Sequence, residues 1–330
     1  MTEHPAHAQA AASWHDQISR SITDADALAR DFPMDADARR AAEAYPLRLT
    51  PYLLDLARRS DAIARQFVPD GAELADTDAP ADPLHEEDSR PVPCVIHRYP
   101  DRLLLMAGIS CASNCRFCTR RGRIGPNCNL AEGVDYIRSV RSIRHVILSG
   151  GDPLLLEDDE LAGLLDQLRA IDHVRVLRIH TRVASTLPMR ITRELAKLLG
   201  RRQPLYLIVH FNHHAELTAE ARDALRLAAG AGVPLGNQNV LLRGVNDDPL
   251  TMQRLMDELL EERVRPYYLH HPDGTRGTRH FSSDAATGLA IVEHLRRNCC
   301  GLAVPHYVRD EADCEWKKPV VPADDEPDKG

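Results

Sequence analysis

Lysine is nearly missing from this 330-residue chain, which has only four, at positions 197, 317, 318 and 329, among 41 basic residues. Any chemistry that needs a lysine amine therefore has few places to reside. No run approaches the roughly 18 consecutive apolar residues of a membrane-spanning helix. The N-terminus lacks both the basic and the apolar part of an export signal, so the expectation is a cytoplasmic protein that neither spans nor crosses a membrane. There is no surplus of positive charge either. A formal net charge of −8 argues against a nucleic-acid surface. Nor do the eight cysteines, at 94, 111, 115, 118, 128, 299, 300 and 314, form a disulfide framework in a chain this long. In a reducing compartment they are thiols or metal ligands.

What is present is ordinary in bulk and specific in places. Hydrophobic residues at 43% and charged ones at 27% suit a globular enzyme of one large domain or two small ones. Residues 1–66 read as helices without a metal or phosphate signature, with helical spacing at 14–22 and 36–44 and a helix start at Thr50-Pro51. Residues 70–89 hold eight acidic residues and no Lys or Arg, and read as a solvated connecting loop. From Arg102 onward, strand-like runs at 103–107, 146–149, 174–180, 205–211, 234–242 and 266–270 alternate with helical stretches. Stretch 157–171 has apolar residues at Leu161, Leu164, Leu165, Leu168 and Ile171, the spacing of a helix with one buried face. Six strand–helix repeats predict parallel strands with crossover helices, an open (β/α)6 barrel whose site lies at the C-terminal strand ends.

At the end of the first of these runs stand Cys111, Cys115 and Cys118, spaced C-x3-C-x2-C. Three thiolates can hold three irons of a [4Fe–4S] cluster and leave the fourth open, whereas electron-transfer clusters use four cysteines. The plainer alternative is a structural zinc knuckle, which needs a fourth Cys or His at loop spacing. Cys128 lies ten residues on, outside that spacing. Ser149-Gly150-Gly151-Asp152 ends the second run, where two glycines let the backbone approach a ligand or simply make a tight turn capped by Asp. His210, His213 and His214 follow a strand with no carboxylate at a fitting offset, and read as surface and ligand-edge histidines more than as a metal site.

The triplet and the glycine turn together resemble the radical S-adenosylmethionine (SAM) enzymes. A closer resemblance is carried by His97-Arg98-Tyr99-Pro100-Asp101-Arg102, Cys118-Thr119-Arg120-Arg121, His210-Phe211-Asn212-His213, Gly236-Asn237-Gln238 and Arg265-Pro266-Tyr267-Tyr268. From Tyr45 to about Pro322 the chain is similar to the lysine 2,3-aminomutase family. That resemblance implies a radical SAM partial (β/α)6 barrel with a helical N-terminal extension and a short C-terminal segment. The parts are residues 1–92 as extension and acidic loop, 93–302 as barrel, and 303–330 as the segment that carries a cofactor lysine. It also implies three cofactors: a [4Fe–4S] cluster on the three cysteines, SAM on Ser149–Asp152 with His210 at the edge, and pyridoxal 5′-phosphate (PLP).

PLP needs a lysine, and Lys317 is the position that matches. Arg98, Tyr99, Arg102 and Gln238 match residues around the PLP phosphate, which suits the paired donors of arginine. Arg120 matches the residue that binds the substrate carboxylate, and Asp273 and Asp310 match those that bind a distal ammonium. The implied reaction is a radical 1,2-amino shift, L-lysine to β-lysine. The alternatives are arginine, a lysine of elongation factor P, or a non-catalytic iron–sulfur or zinc protein. The implied partners are a small amino acid and an electron donor, with no nucleic acid and no membrane. Two departures stand out. Residues 311–316 replace a glycine-rich run before the lysine, and Asp248 replaces a zinc-binding cysteine that ties subunits together, so any homo-oligomer is expected to lack that tie.

Overall fold

The computed structural model describes residues 13–108, 110–121 and 129–322. Among the described residues nine strands form one sheet in sequence order: β1 (Val95–Tyr99), β2 (Arg102–Gly108), β3 (His145–Gly150), β4 (Val176–Thr181), β5 (Leu205–Val209), β6 (Leu235–Val240), β7 (Val264–His270), β8 (His306–Arg309) and β9 (Lys318–Pro319). β2 to β8 pair in parallel, and β1 and β9 add antiparallel edges. The six repeats legible in the sequence are β2 to β7, and the same curved sheet gains a seventh parallel strand in β8.

The strands alternate with helices that cover their outer face, including Leu130–Ser139, Asp158–Arg169, Arg193–Gly200, Ala219–Gly230 and Pro249–Glu261. In Asp158–Arg169 the buried residues are Leu161, Leu164, Leu165 and Leu168, the face that its spacing predicts. β4 shows how period-two alternation divides a strand. Leu177 and Ile179 are fully buried in the layer between sheet and helices, while Val176, Arg178 and His180 line the barrel interior. Polar residues inside a barrel need a reason, and here they surround a cavity.

The two edges of the sheet do not pair, so the barrel stays open along one seam. Side chains bridge it. The Tyr99 hydroxyl donates to Asp310 at 3.2 Å, and the Arg98 Nη2 donates to the carbonyls of Glu311 (2.6 Å) and Ala312 (3.3 Å).

Helices Ala36–Ala44 and Pro51–Arg59 lie where their sequence implies, with the Thr50 hydroxyl capping the second, and Asp61–Phe67 follows. The stretch 14–22 is helical only over Trp14–Ser19, because Ile22 pairs with Leu49 in a bridge. The N-terminal helices have a small core of their own around Leu49, Leu53, Ile63 and Phe67. The acidic stretch corrects a sequence expectation. Part of it is exposed, but Glu73 and Glu86 are buried and paired with arginines of the cysteine loop. It is a brace as well as a connection. Among the described residues, no helix is long and apolar enough to cross a membrane.

Candidate active site

The barrel encloses a cavity of about 1070 Å³. The sequence singles out Cys111, Cys115, Cys118, Ser149, Gly150, Gly151, Asp152, His210, Arg98, Tyr99, Arg102, Gln238, Arg120, Asp273, Asp310 and Lys317, and all of them line it. His213 and His214 do not; their rings stack on each other 4.2 Å apart. Cys128 and Lys329 lie outside the described residues.

The three cysteines sit on the loop after β2, and it is fastened from below by the N-terminal extension. The Arg116 amide donates to the Gln66 carbonyl (2.8 Å), the Asn114 amide to Arg48 (3.1 Å), and the Arg48 guanidinium to the Cys111 carbonyl (3.0 Å). The Arg116 side chain is 1% exposed and forks onto Glu73 at 2.9 and 2.7 Å, with Arg121 on the same carboxylate. All three cysteines are free thiols. Burial, and then the neighbouring charges, push the Cys111 and Cys118 thiols up. Ligation by them must therefore release protons. Arg182, at the end of β4, donates from Nη1 to Cys115 Sγ at 2.9 Å and lies over the rings of Phe67 and Phe117. Three free thiols on one braced loop at a cavity wall fit a cluster that keeps one position for a ligand. Among the described residues no group of three His, Cys, Asp or Glu side chains is already gathered to hold one metal ion.

The glycine turn has a reason the sequence did not give. A Cβ on Gly151 would stand 2.2 Å from the Ser110 carbonyl oxygen, and one on Gly150, whose φ is +112°, 2.5 Å from that of Gly108. Gly151 and Asp152 donate their amides to those same two carbonyls. The glycines thus let the β3 turn lie against the backbone at the start of the cysteine loop. Asp152 is spent within the fold, accepting from the Thr181 hydroxyl and from the amides of Leu154, Arg182 and Val183.

At the mouth, five charged groups form one cluster. Arg120 forks onto Glu86 at 2.9 and 2.6 Å. Burial works against its charge, but Glu86 more than compensates and tightens its hold on the proton. Lys317 makes an ion pair with Asp310 and lies 5.8 Å above the Tyr268 ring. Burial likewise opposes the charge of Asp310, yet Lys317 holds its carboxyl below the usual range. Burial, followed by the adjacent Asp310, pushes Asp273 up to about 7. His270 is held down to about 3 by burial and then by Lys317. Of the other lysines, Lys318 pairs with Glu311 outside the cavity and Lys197 is exposed on an outer helix. The composition of 311–316 is compatible with a lysine at the cavity, because β9 pairs with β8 and carries Lys317 inward beside the half-exposed Trp316.

Deeper in the barrel, Arg102 stacks 4.0 Å over the Tyr99 ring and donates to Asp101 at 2.7 Å. The Gln238 amide meets His180 Nδ1 at 3.3 Å. Arg178 Nε and His180 Nε2 are among the polar atoms shut off from solvent without a partner. A cavity with a lysine amine at one level and unsatisfied donors below it fits a long anionic cofactor such as PLP. Sequence reading missed Arg178, Arg182 and Glu86. The first two were hidden in a strand and its end, the third in an acidic run that looked solvated.

Asp248, which stands where the resemblance places a zinc cysteine, caps helix Pro249–Glu261 by accepting from the Thr251 amide at 2.8 Å.

No family model matches the chain. An L-lysine 2,3-aminomutase of Fusobacterium nucleatum is 43% identical over 293 residues, covering 86% of this chain and 69% of that protein. One of Methanococcus maripaludis is 39% identical over 330 residues, covering 94% and 76%. A glutamate 2,3-aminomutase of Clostridioides difficile is 38% identical over 319 residues, covering 93% and 76%. Among solved structures, Streptococcus suis SuiB bound to S-adenosylmethionine superposes with a TM-score of 0.50 at 12% identity, over 68% of this chain and 54% of that one. That likeness concerns the fold alone, a partial barrel of parallel strands. The relatives go further: at this identity over most of its length, the chain belongs to the lysine 2,3-aminomutase family.

Proposed function

We propose that the protein is a radical SAM, PLP-dependent 2,3-aminomutase that moves the α-amino group of L-lysine to the β-carbon. When bound, the cluster with SAM supplies the radical that removes a hydrogen, and PLP carries the migrating nitrogen. Cys111, Cys115 and Cys118 would hold the cluster. The Ser149–Gly151 turn and His210 would border SAM, with the Asp152 side chain fixing the turn rather than touching the ligand. Lys317 would hold PLP, with Arg98, Tyr99, Arg102 and Gln238 toward its phosphate end. The rest of the barrel excludes water and orients the reacting groups. Free thiols at all seven described cysteines suit a reducing cytoplasm and a cluster fed by an electron donor.

One observation carries the choice of substrate. Asp310 already holds a primary ammonium, that of Lys317, beside a second carboxylate of the cavity, Asp273. At the same mouth Arg120 already holds a carboxylate, that of Glu86. The chain's own groups thus occupy places suited to the two ends of a lysine zwitterion, and substrate binding exchanges like for like. An anionic side chain, as in glutamate, would meet two carboxylates and lose several kcal/mol.

The test is kcat/KM of the anaerobically reconstituted enzyme for lysine, arginine, glutamate and a peptide-borne lysine. Free lysine should lead. Asp273→Asn should depress the cationic substrates by about 2–4 kcal/mol, the scale of losing one partner of a desolvated pair. A preference for glutamate, or unchanged lysine kinetics in Asp273→Asn, would sink this reading.

A further inference from the structure

Arg178 stands in the middle of β4, opposite Ile147 of β3 and Tyr206 of β5, on the face that lines the cavity. Its Nε is shut off from solvent and has no hydrogen-bond partner, and among the described residues no carboxylate forms an ion pair with it. Its surroundings are otherwise cationic or neutral. Burial lowers its hold on the proton, Tyr267 and Tyr268 oppose that, and Arg102 adds to it. Asp101, the carboxylate within electrostatic reach, is hydrogen-bonded to Arg102. A half-buried guanidinium without an anion, near a second one, is costly and remains only where something else requires it. One inward position above it, His180 Nε2 is also unsatisfied.

We infer that Arg178, together with Arg102, binds the phosphate monoester of the cofactor at the floor of the barrel, an assignment that rests on the PLP reading above. The levels agree. Lys317 Nζ lies over Tyr268, which is in register with Gln238, and Gln238 contacts His180. Arg178 is two residues below His180 on the same strand, a drop of about 6.6 Å at ~3.3 Å per residue. In PLP the aldehyde and the phosphomethyl arm stand on adjacent ring carbons, so a guanidinium one such step below the aldehyde is within reach of the phosphate. Arg98 is less free for this task, because its Nη2 is spent on the carbonyls of Glu311 and Ala312 across the seam. Arg178, and the nitrogens of Arg102 that its Asp101 bond leaves over, give a dianion charged hydrogen bonds from two guanidiniums. His180, neutral because burial and then Arg178 hold its pKa well down, is able to add a neutral donor or acceptor.

The test separates the phosphate from the rest of the cofactor. Full-length, cluster-loaded protein is titrated with PLP or with pyridoxal, trapped with borohydride, and the label on the Lys317 peptide is quantified by mass spectrometry. In Arg178→Gln the half-saturating PLP concentration should rise by roughly 10- to 100-fold, on the scale of a lost charged hydrogen bond. Pyridoxal labelling should not change, and Arg178→Lys should recover part of the loss. Inorganic phosphate should compete with PLP in the wild type and leave pyridoxal labelling unaffected. Equal weakening for PLP and pyridoxal, or no weakening, would overturn the assignment. If Arg178→Gln does not retain wild-type iron content and melting temperature, Arg178→Lys is read by the same ratio. A wild type that takes no label from PLP on Lys317 overturns the cofactor reading and this inference with it, an outcome distinct from normal labelling with an indifferent Arg178→Gln.

Discussion

The cavity has two unlike walls. The cysteine loop is braced by buried groups with several partners each: Arg116 and Arg121 on Glu73, Arg182 on Gln66, Glu216 and Cys115, and backbone bonds to Gln66 and Arg48. The segment that carries Lys317 is attached by a two-residue strand, by the ion pairs Lys317–Asp310 and Lys318–Glu311 and by the seam bonds from Arg98 and Tyr99, with Trp316 59% exposed beside them. Charges with several buried partners hold one geometry, whereas part-buried pairs whose lysine has a single carboxylate partner have fewer bonds to give up. The difference suits the proposed chemistry. A metal cluster needs ligands that stay put, while a lysine that bonds covalently to a cofactor must be able to leave its resting partner.

The sharpest break between the walls should come from single cysteines. Cys115→Ala should lose nearly all bound iron and all SAM cleavage, because an incomplete thiolate set cannot hold the cube. Cys300→Ala, at the exposed end of the chain's last long helix, should leave both unchanged. Iron analysis after anaerobic reconstitution decides this, and equal loss in Cys128→Ala would refute the ligand assignment.

On the other wall, Lys317→Ala should abolish turnover and the borohydride label while keeping iron content, and Lys318→Ala should keep the label. Transfer of the label to Lys318 would show that the residues before it alter the register of the segment.

Stability should follow the same division. Glu73→Gln leaves Arg116 and Arg121 without their shared carboxylate in a buried site, and should cost about 3–5 kcal/mol in denaturant unfolding. Lys318→Ala should unfold at the same midpoint as wild type. A tolerant Glu73→Gln would mean that the cysteine loop is held chiefly by its backbone bonds.

The smallest expected effect is one of pH. The folded pKa of Asp273, about 7, exceeds the ordinary carboxyl value near 3.9. The fold therefore favours its protonated form, and the stability this gives is present at low pH and lost as pH rises toward 7. Binding an ammonium requires the ionised form, so kcat/KM for lysine should rise roughly tenfold from pH 6 to pH 8. Asp273→Asn should flatten that limb, and an unchanged limb would assign it to another group.

Much of this was legible in the chain. Alternating apolar runs separated by amphipathic stretches specify parallel strands with crossover helices. Leu161, Leu164, Leu165 and Leu168 could bury only one face, and they do. A C-x3-C-x2-C triplet points to a cluster or a metal, and a chain with four lysines leaves few candidates for an amine at a cavity, of which Lys317 lines it. These features are local, with periods or spacings that a single strand of text contains.

Only the tertiary structure decided the pairings. Glu73 and Glu86 looked solvated because their partners, Arg116, Arg121 and Arg120, lie some 34 to 48 residues further along. The glycines of the β3 turn could serve a ligand's approach or a tight turn, and only the fold shows that the Gly108 and Ser110 carbonyls lie against them. Arg178 looked like any charge in an alternating strand. A strand's alternation says which residues share a face, but whether that face meets water, a helix or a closed cavity depends on how the sheet curves. That is a property of all its strands together, so one sequence window does not contain it.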